Sequence, residues 1–186
     1  MSKIKKLLLL TSIVAVAAII INIIGVDQIF SVDQLKQMLN ENKLLAIVVF
    51  CLVFSAANLL YIPGFLFVAA PVSLFSVREA FVIVYIACIV CSSISYYFVS
   101  FFGNDLLRTF DNRLSRWAFE NIDKRPIFSV IVLRTLMQTT PALNYTLSLS
   151  GIKFSNYILG SMIGLIIPIF IYCAIFALIL NNNYVF

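Results

Sequence analysis

Long apolar runs dominate this chain, and the places where proline, glycine or charge interrupts them mark out its elements. Residues 1–26 begin with Lys3, Lys5 and Lys6 and then stay apolar to Ile24. That stretch is about 18 residues, longer than the ~7–15 of a signal-peptide core and close to the ~20 that span a bilayer, so it predicts an uncleaved signal-anchor helix. Residues 27–43 are polar, with Ile29, Val32, Leu35, Met38 and Leu39 at helical spacing. They predict a short amphipathic helix on the membrane surface or a connecting loop helix.

The run at 44–77 is too long for one span and is divided by Pro63 and Gly64. The pieces are about 19 and 13 residues, and at ~1.5 Å per residue the second cannot cross a ~30 Å hydrocarbon core. The run at 127–152 is cut at Pro141. It leaves pieces of about 14 and 11 residues, neither of which crosses. Both runs therefore predict re-entrant helical hairpins, whose broken backbone is tolerated at mid-membrane only where protein or a water-filled cavity surrounds it. Residues 80–102 and 154–180 read as plain spans.

The loop at 103–126 carries Arg108, Arg113, Arg116, Lys124 and Arg125, with Leu106, Leu107, Phe110, Leu114, Trp117 and Ala118 on one face. Basic loops face the cytoplasm, so the N-terminus is expected there too, and the loop is expected to hold an interfacial helix. After residue 43 the order is hairpin then span, repeated once with opposite orientation. Inverted repeats with interrupted segments at matching positions put a transport site where the breaks meet. The expected fold class is all-α integral membrane, with transmembrane helices and two facing re-entrant hairpins in an inverted repeat.

Composition agrees: 62% of the 186 residues are hydrophobic and 11% charged, against ~45–50% and ~25% in a soluble domain. The net charge of +5 reflects loops and termini, and a nucleic-acid partner is not expected, since no basic face on a soluble domain is available. Histidine is absent, which removes the commonest metal ligand and catalytic base. Neither a metal nor a cofactor is expected. No hydrolytic triad, paired-carboxylate site, P-loop or dinucleotide fingerprint is present, so the chain does not read as an enzyme. Cys88 and Cys91 form a C-x-x-C, but without a second pair they read as packing residues, as do Cys51 and Cys173.

The candidate chemistry lies around Arg134, the one charge inside the apolar runs. A charged side chain there is costly, ~2.5–3.5 kcal/mol on insertion scales, and usually functional. No acidic residue falls within an apolar run, and Glu79 stands at an edge. The cation must therefore find backbone carbonyls at a broken helix end, a water-filled cavity or an anionic ligand, for which the planar guanidinium fork suits phosphate. The competing reading is an arginine that snorkels to the cytoplasmic edge. Gln138, Thr139, Thr140, Asn144, Tyr145, Thr146, Ser148 and Ser150 surround Pro141; they could line a headgroup path or satisfy backbone groups freed by the proline. On the first hairpin Asn58, Tyr61, Pro63 and Gly64 occupy matching positions, and Gly64 permits close approach of the opposing tip. Gly160, Gly164 and Pro168 read as a packing ridge, with Ser92, Ser93 and Ser95 playing a similar part in the middle span.

The segment RTLMQTTPALNYTLSLSGIKFSNYILGSMIGLIIP, from Arg134 onward, resembles the DedA or VTT-domain proteins, also called the SNARE-associated Golgi protein family. YIPGF in the first hairpin is similar to that family's earlier Pro-Gly motif. The resemblance covers about residues 44–180 and identifies 44–186 as a VTT-like membrane domain. It implies two facing re-entrant hairpins and transbilayer movement of lipids, namely a polyprenyl-phosphate carrier in bacteria or phospholipids in eukaryotic relatives. Carried over by position, Arg134, Pro141, Asn144 and Gly151 match the second motif, and Pro63 and Gly64 the first. The neighbourhood of the first Pro-Gly, SAANLLYIPGFLFVAAP, lacks the acids that bacterial members often carry for proton coupling. The family's Gly-Arg in the middle span is also missing from YYFVSFFG. Downhill movement is therefore expected rather than proton-driven transport.

The expected function is flippase- or scramblase-type passage of an anionic lipid or polyprenyl-phosphate carrier. Arg134, Gln138, Pro141, Asn144, Tyr145, Gly151, Asn58, Pro63 and Gly64 would contact it. The alternative is a secondary transporter of a small anion or solute through the same cavity. Membrane lipids are the expected partners, a homo-oligomer is left open, and a bacterial inner membrane is the expected location.

Overall fold

A computed structural model describes residues 42–62, 64–103 and 124–180. The expected signal anchor, nearly all of the amphipathic segment, Pro63 and most of the basic loop lie outside these residues. Two compact units divide the chain, Met1–Val49 and Phe50–Phe186. The first contributes the opening of helix α1 (Lys43–Leu59), where the Asn42 side chain accepts the Leu45 N–H at 3.1 Å, satisfying a first-turn donor that the helix cannot.

Every described residue of the second unit that has regular structure is helical. A 3-10 turn (Gly64–Phe67) follows α1, and then come α2 (Ala69–Leu74), α3 (Val77–Gly103), α4 (Pro126–Met137), α5 (Pro141–Leu149), α6 (Phe154–Gly164) and α7 (Ile166–Ile179). Helix α1 ends where the sequence demands it. Tyr61 takes a left-handed conformation at φ 66°, and the Ile62 N–H reaches back to the Ala57 carbonyl at 2.9 Å, a bond that closes a helix end just ahead of a proline. Helix α3 starts on a reciprocal cap: Glu79 accepts from the Ser76 N–H and hydroxyl, while Ser76 Oγ accepts the Glu79 N–H.

The break between α4 and α5 runs through Gln138 and Thr139, and Pro141 opens α5 at a position where its missing N–H costs nothing. The two pieces hold 12 and 9 residues, so each is ~14–18 Å long and shorter than a bilayer core. By contrast Val77–Phe101 and Phe154–Ile179, with 25 and 26 residues, are long and apolar enough to cross a membrane. Much of their surface is outward-facing and greasy: Val82, Ile86, Phe101, Ile163, Ile167 and Leu178 are all exposed. Helices that would be the core of a soluble protein bury such side chains instead.

The last span is less plain than its composition predicts, because its helix is interrupted at Leu165. Pro168 has no N–H to give to the Gly164 carbonyl. That carbonyl lies 3.2 Å from Thr135 Oγ1, which also lies 2.9 Å from the Ile131 carbonyl, so one hydroxyl proton serves the two.

Helix α4 packs most extensively on α6, and α5 on α3. The α4–α6 contact depends on the glycine ridge. A Cβ on Gly160 would sit 2.6 Å from Val130 Cβ, and one on Gly164 would sit 2.7 Å from the Ile131 carbonyl and 2.8 Å from Arg134 Cβ. Val130, Leu133, Leu143, Leu147, Ile152 and Tyr157 form one buried apolar cluster, with Tyr96, Met137 and Phe154 against it. Hydroxyls close the helix-to-helix seams: Tyr96 donates to the Ile152 carbonyl at 2.7 Å, Ser100 to that of Ser148 at 3.1 Å and Tyr85 to that of Met162 at 2.7 Å.

A side chain at Gly164 must push against backbone as well as side chain, so repacking cannot absorb it. Gly164→Val should lower stability by about 1–3 kcal/mol, visible as a reduced thermal midpoint of the detergent-solubilised protein. An unchanged midpoint would show that α4 and α6 are not held this close.

Candidate functional site: a buried arginine at the meeting of two helix breaks

Arg134 stands in the last turn of α4, where helix carbonyls are unpaired and the dipole favours a cation. Its side chain is 0% exposed. Nε donates to Ser161 Oγ at 3.0 Å, one terminal nitrogen donates to the Gln138 carbonyl at 3.0 Å and to Asn144 Oδ1 at 2.7 Å, and the other donates to the Tyr157 hydroxyl at 2.6 Å. Four of a guanidinium's five N–H donors are thus engaged. The guanidinium carbon also lies 5.2 Å from the Tyr157 ring centroid, within range of a cation–π contact.

Every one of these partners among the described residues is neutral. A carbonyl at a broken helix end, one of the solutions that the sequence allows for this cation, is present and is joined by three side chains. The guanidinium lies against the middle of α3 and away from its ends. The Tyr157 hydroxyl lies 3.1 Å from the Ser92 carbonyl, and Ser92 stands near the middle of the 27-residue α3, ~16–22 Å from either end at ~1.5 Å per residue.

The network continues into the other helix break. Asn144 Nδ2 donates to Asn58 Oδ1 at 2.7 Å, and Asn58 Nδ2 donates to the Thr139 carbonyl at 2.7 Å. Both asparagines are almost wholly buried. Beside them Tyr145 donates to the Leu59 carbonyl at 3.0 Å and its ring lies 5.4 Å from that of Tyr61. A Cβ on Gly64 would meet Thr139 Oγ1 at 3.2 Å and the Phe54 ring at 3.0 Å, so the bare glycine is what lets the two breaks touch.

Arg134, Asn144, Asn58 and the Gln138 backbone therefore form one connected group, with Tyr145 and Gly64 alongside it. Pro141 is buried and contributes by starting α5. Gly151 does not join the group. It lies past the end of α5 with φ 78° and nothing within 4 Å of a would-be Cβ, which makes it a helix-terminating residue. Pro63 lies outside the described residues. Thr146, Ser148 and Ser150 bond the carbonyls of Ala142, Asn144 and Leu147, the backbone-satisfying role.

Tyr157 and Ser161 were not among the residues singled out from sequence. Their signal is the stripe Tyr157, Gly160, Ser161, Gly164, spaced three and four apart along an otherwise apolar helix, which marks the face turned toward α4. Ser92 belongs to the same group. Its carbonyl accepts from Tyr157, while its own Oγ is buried and has no hydrogen-bond partner among the described residues. The thiols of Cys51, Cys88, Cys91 and Cys173 are free and buried, and among the described residues no His, Cys, Asp and Glu group could hold a metal ion.

One residue is held under strain. Gln138 has φ 54° and ψ −133°, a region that glycine occupies readily and other residues at a cost of ~1–3 kcal/mol. The same peptide delivers its carbonyl to Arg134, so the arginine helps hold the conformation.

The described residues are all-helical where regular, with two helices long and apolar enough to cross a membrane and a buried arginine between helix breaks, the features of a membrane protein. The VTT domain matches residues 62–178, more than half of the 186-residue chain. The chain belongs to the VTT-domain family, the DedA/SNARE-associated Golgi protein family. No curated protein and no solved structure matches it.

Two substitutions separate strain from bonding here. Gln138→Gly keeps the carbonyl and removes the strain, and should raise stability by about 1 kcal/mol in spite of a more flexible unfolded chain. Asn58→Leu leaves Asn144 Nδ2 and the Thr139 carbonyl unpaired and should cost about 1–3 kcal/mol. Denaturation midpoints of the two purified variants, moving in opposite directions, are the readout.

Proposed function

We propose that the protein moves an anionic lipid between the leaflets of a membrane, with the headgroup phosphate exchanging onto Arg134 between two re-entrant hairpins. The hairpins would be α1 with α2 and α4 with α5, each entering and leaving on one side and related as an inverted repeat. The observation that carries this reading is a buried guanidinium whose partners among the described residues are all neutral, at the point where the two helix breaks touch. Neutral dipoles satisfy the donors and leave the positive charge uncompensated. An anion arriving there would supply the compensation.

The bonds that Arg134 makes are ones a phosphate can replace. The Asn144 side-chain Oδ1, the Tyr157 hydroxyl and the strained Gln138 backbone carbonyl each occupy a direction along which a phosphate oxygen could accept from the fork. Opening of the contacts between the breaks would expose the cation, and closing would return it to its neutral partners. The described contacts are those in which the two breaks touch. With no carboxylate in the apolar segments, the cycle has no evident proton-binding group, which favours downhill movement.

The test uses purified protein in vesicles with fluorescent phospholipid, scored by how fast an external quencher reaches the probe. Arg134→Ala should bring lipid movement down to the rate in protein-free vesicles. Arg134→Lys keeps the charge and loses the fork, and should slow movement by roughly tenfold. Unchanged movement in Arg134→Ala, at equal amounts of folded protein, would sink the proposal. Uptake of a free anion without lipid movement would assign the site to solute transport.

A further inference from the structure

We infer that the site selects lipids whose phosphate carries a single negative charge, the phosphodiesters, over phosphomonoesters with a dianionic phosphate. This rests on the reading of Arg134 as the headgroup anchor and deepens it.

The argument is a charge count in a dry place. Within the apolar runs at 44–77, 80–102, 127–152 and 154–180, Arg134 is the one ionised side chain away from a run's edge. Around it stand Asn58 from α1, Ser92 from α3, Asn144 from α5, and Tyr157 and Ser161 from α6, all neutral and all buried. Their hydroxyls and amides can donate to phosphate oxygens, and Ser92 Oγ is a hydroxyl with no competing partner among the described residues. None of them adds positive charge.

One guanidinium neutralises one phosphodiester. A phosphomonoester carries ~1.5–2 negative charges at pH 7, with its second pKa near 6. At this site it would bury close to one uncompensated negative charge, which the low-dielectric surroundings penalise heavily. A monoester can escape the penalty only by taking up a proton, which converts it to a monoanion. A prenyl-phosphate carrier is a monoester and falls on the disfavoured side.

This predicts a pH signature that comes from the ligand. Among the described residues the titratable groups facing the site are the Tyr157 phenol on α6, the Tyr145 phenol on α5 and the Cys88 and Cys91 thiols on α3, with Cys173 of α7 near Cys88. The ordinary pKa values of phenol and thiol lie above ~8. Between pH 5 and 8 the group that changes charge is the lipid phosphate.

The experiment compares acyl-labelled phosphatidylglycerol, a diester, with phosphatidic acid bearing the same chains, a monoester, in vesicles holding the full protein. Rates are taken above those of protein-free vesicles. At pH 8 the diester should move at least ~10-fold faster, and at pH 5 the gap should close to within ~2-fold as the monoester speeds up. The bulkier headgroup belongs to the diester, so its advantage cannot be steric. Equal rates at pH 8, or a gap unchanged at pH 5, would overturn the selectivity while leaving lipid movement intact. If neither lipid moves above background, the headgroup-anchor reading fails and this inference falls with it.

Discussion

A wholly buried guanidinium, with no carboxylate among its partners in the described residues, makes a demand that the rest of the fold answers. Each N–H needs an acceptor, and water cannot supply it there. The acceptors come from α5, α6 and the frayed end of α4 itself, so three separate pieces of helix are bound to one side chain. Asn144 then passes the obligation to Asn58 on α1. Removing the arginine would leave a cluster of amide and hydroxyl oxygens facing one another, which is why its loss affects more than a single contact.

Close packing makes those bonds reachable. The guanidinium extends only a few ångströms beyond Arg134 Cβ, which itself touches the ridge of α6 at Gly164. Lipid offers no hydrophobic drive for helices to associate, so small residues and good packing must do that work. Gly160 and Gly164 bring α4 within range, and Tyr157 and Ser161, on the same stripe, then meet the cation. Gly64 performs a similar service between the breaks, where Thr139 comes in close.

Much of this architecture is legible in the chain because length and charge are unforgiving in a bilayer. Pro141 fixes the end of one helix piece and the start of the next, and the α4 and α5 lengths follow. Arg134, Asn144 and Asn58 stand out because polar residues are scarce in such runs. Tyr157 does not, since a tyrosine in a greasy helix has many ordinary uses, and its role depends on which face meets α4. Gln138 was visible as a polar residue, yet its contribution is a backbone carbonyl in a conformation that side-chain identity does not announce. Gly151 falls in the motif by position, and its place in the turn after α5 shows only in the backbone. The interruption at Leu165 follows from Pro168, whose effect on the carbonyl four residues back shows only once Thr135 is seen beside it.

The two asparagines also carry a sense of direction. Arg134 can only donate, so Asn144 must turn its oxygen to the cation and its NH2 to Asn58. Asn58 must then accept with its oxygen and spend its own NH2 on the Thr139 carbonyl. Neither amide can be reversed without setting donor against donor. A chain of this kind has polarity but no mobile proton, since amides do not hand hydrogen along as waters, imidazoles or carboxylic acids do. The two helix breaks are therefore fastened mechanically and insulated protonically: a movement at one can pull on the other, while no proton passes between them along that link.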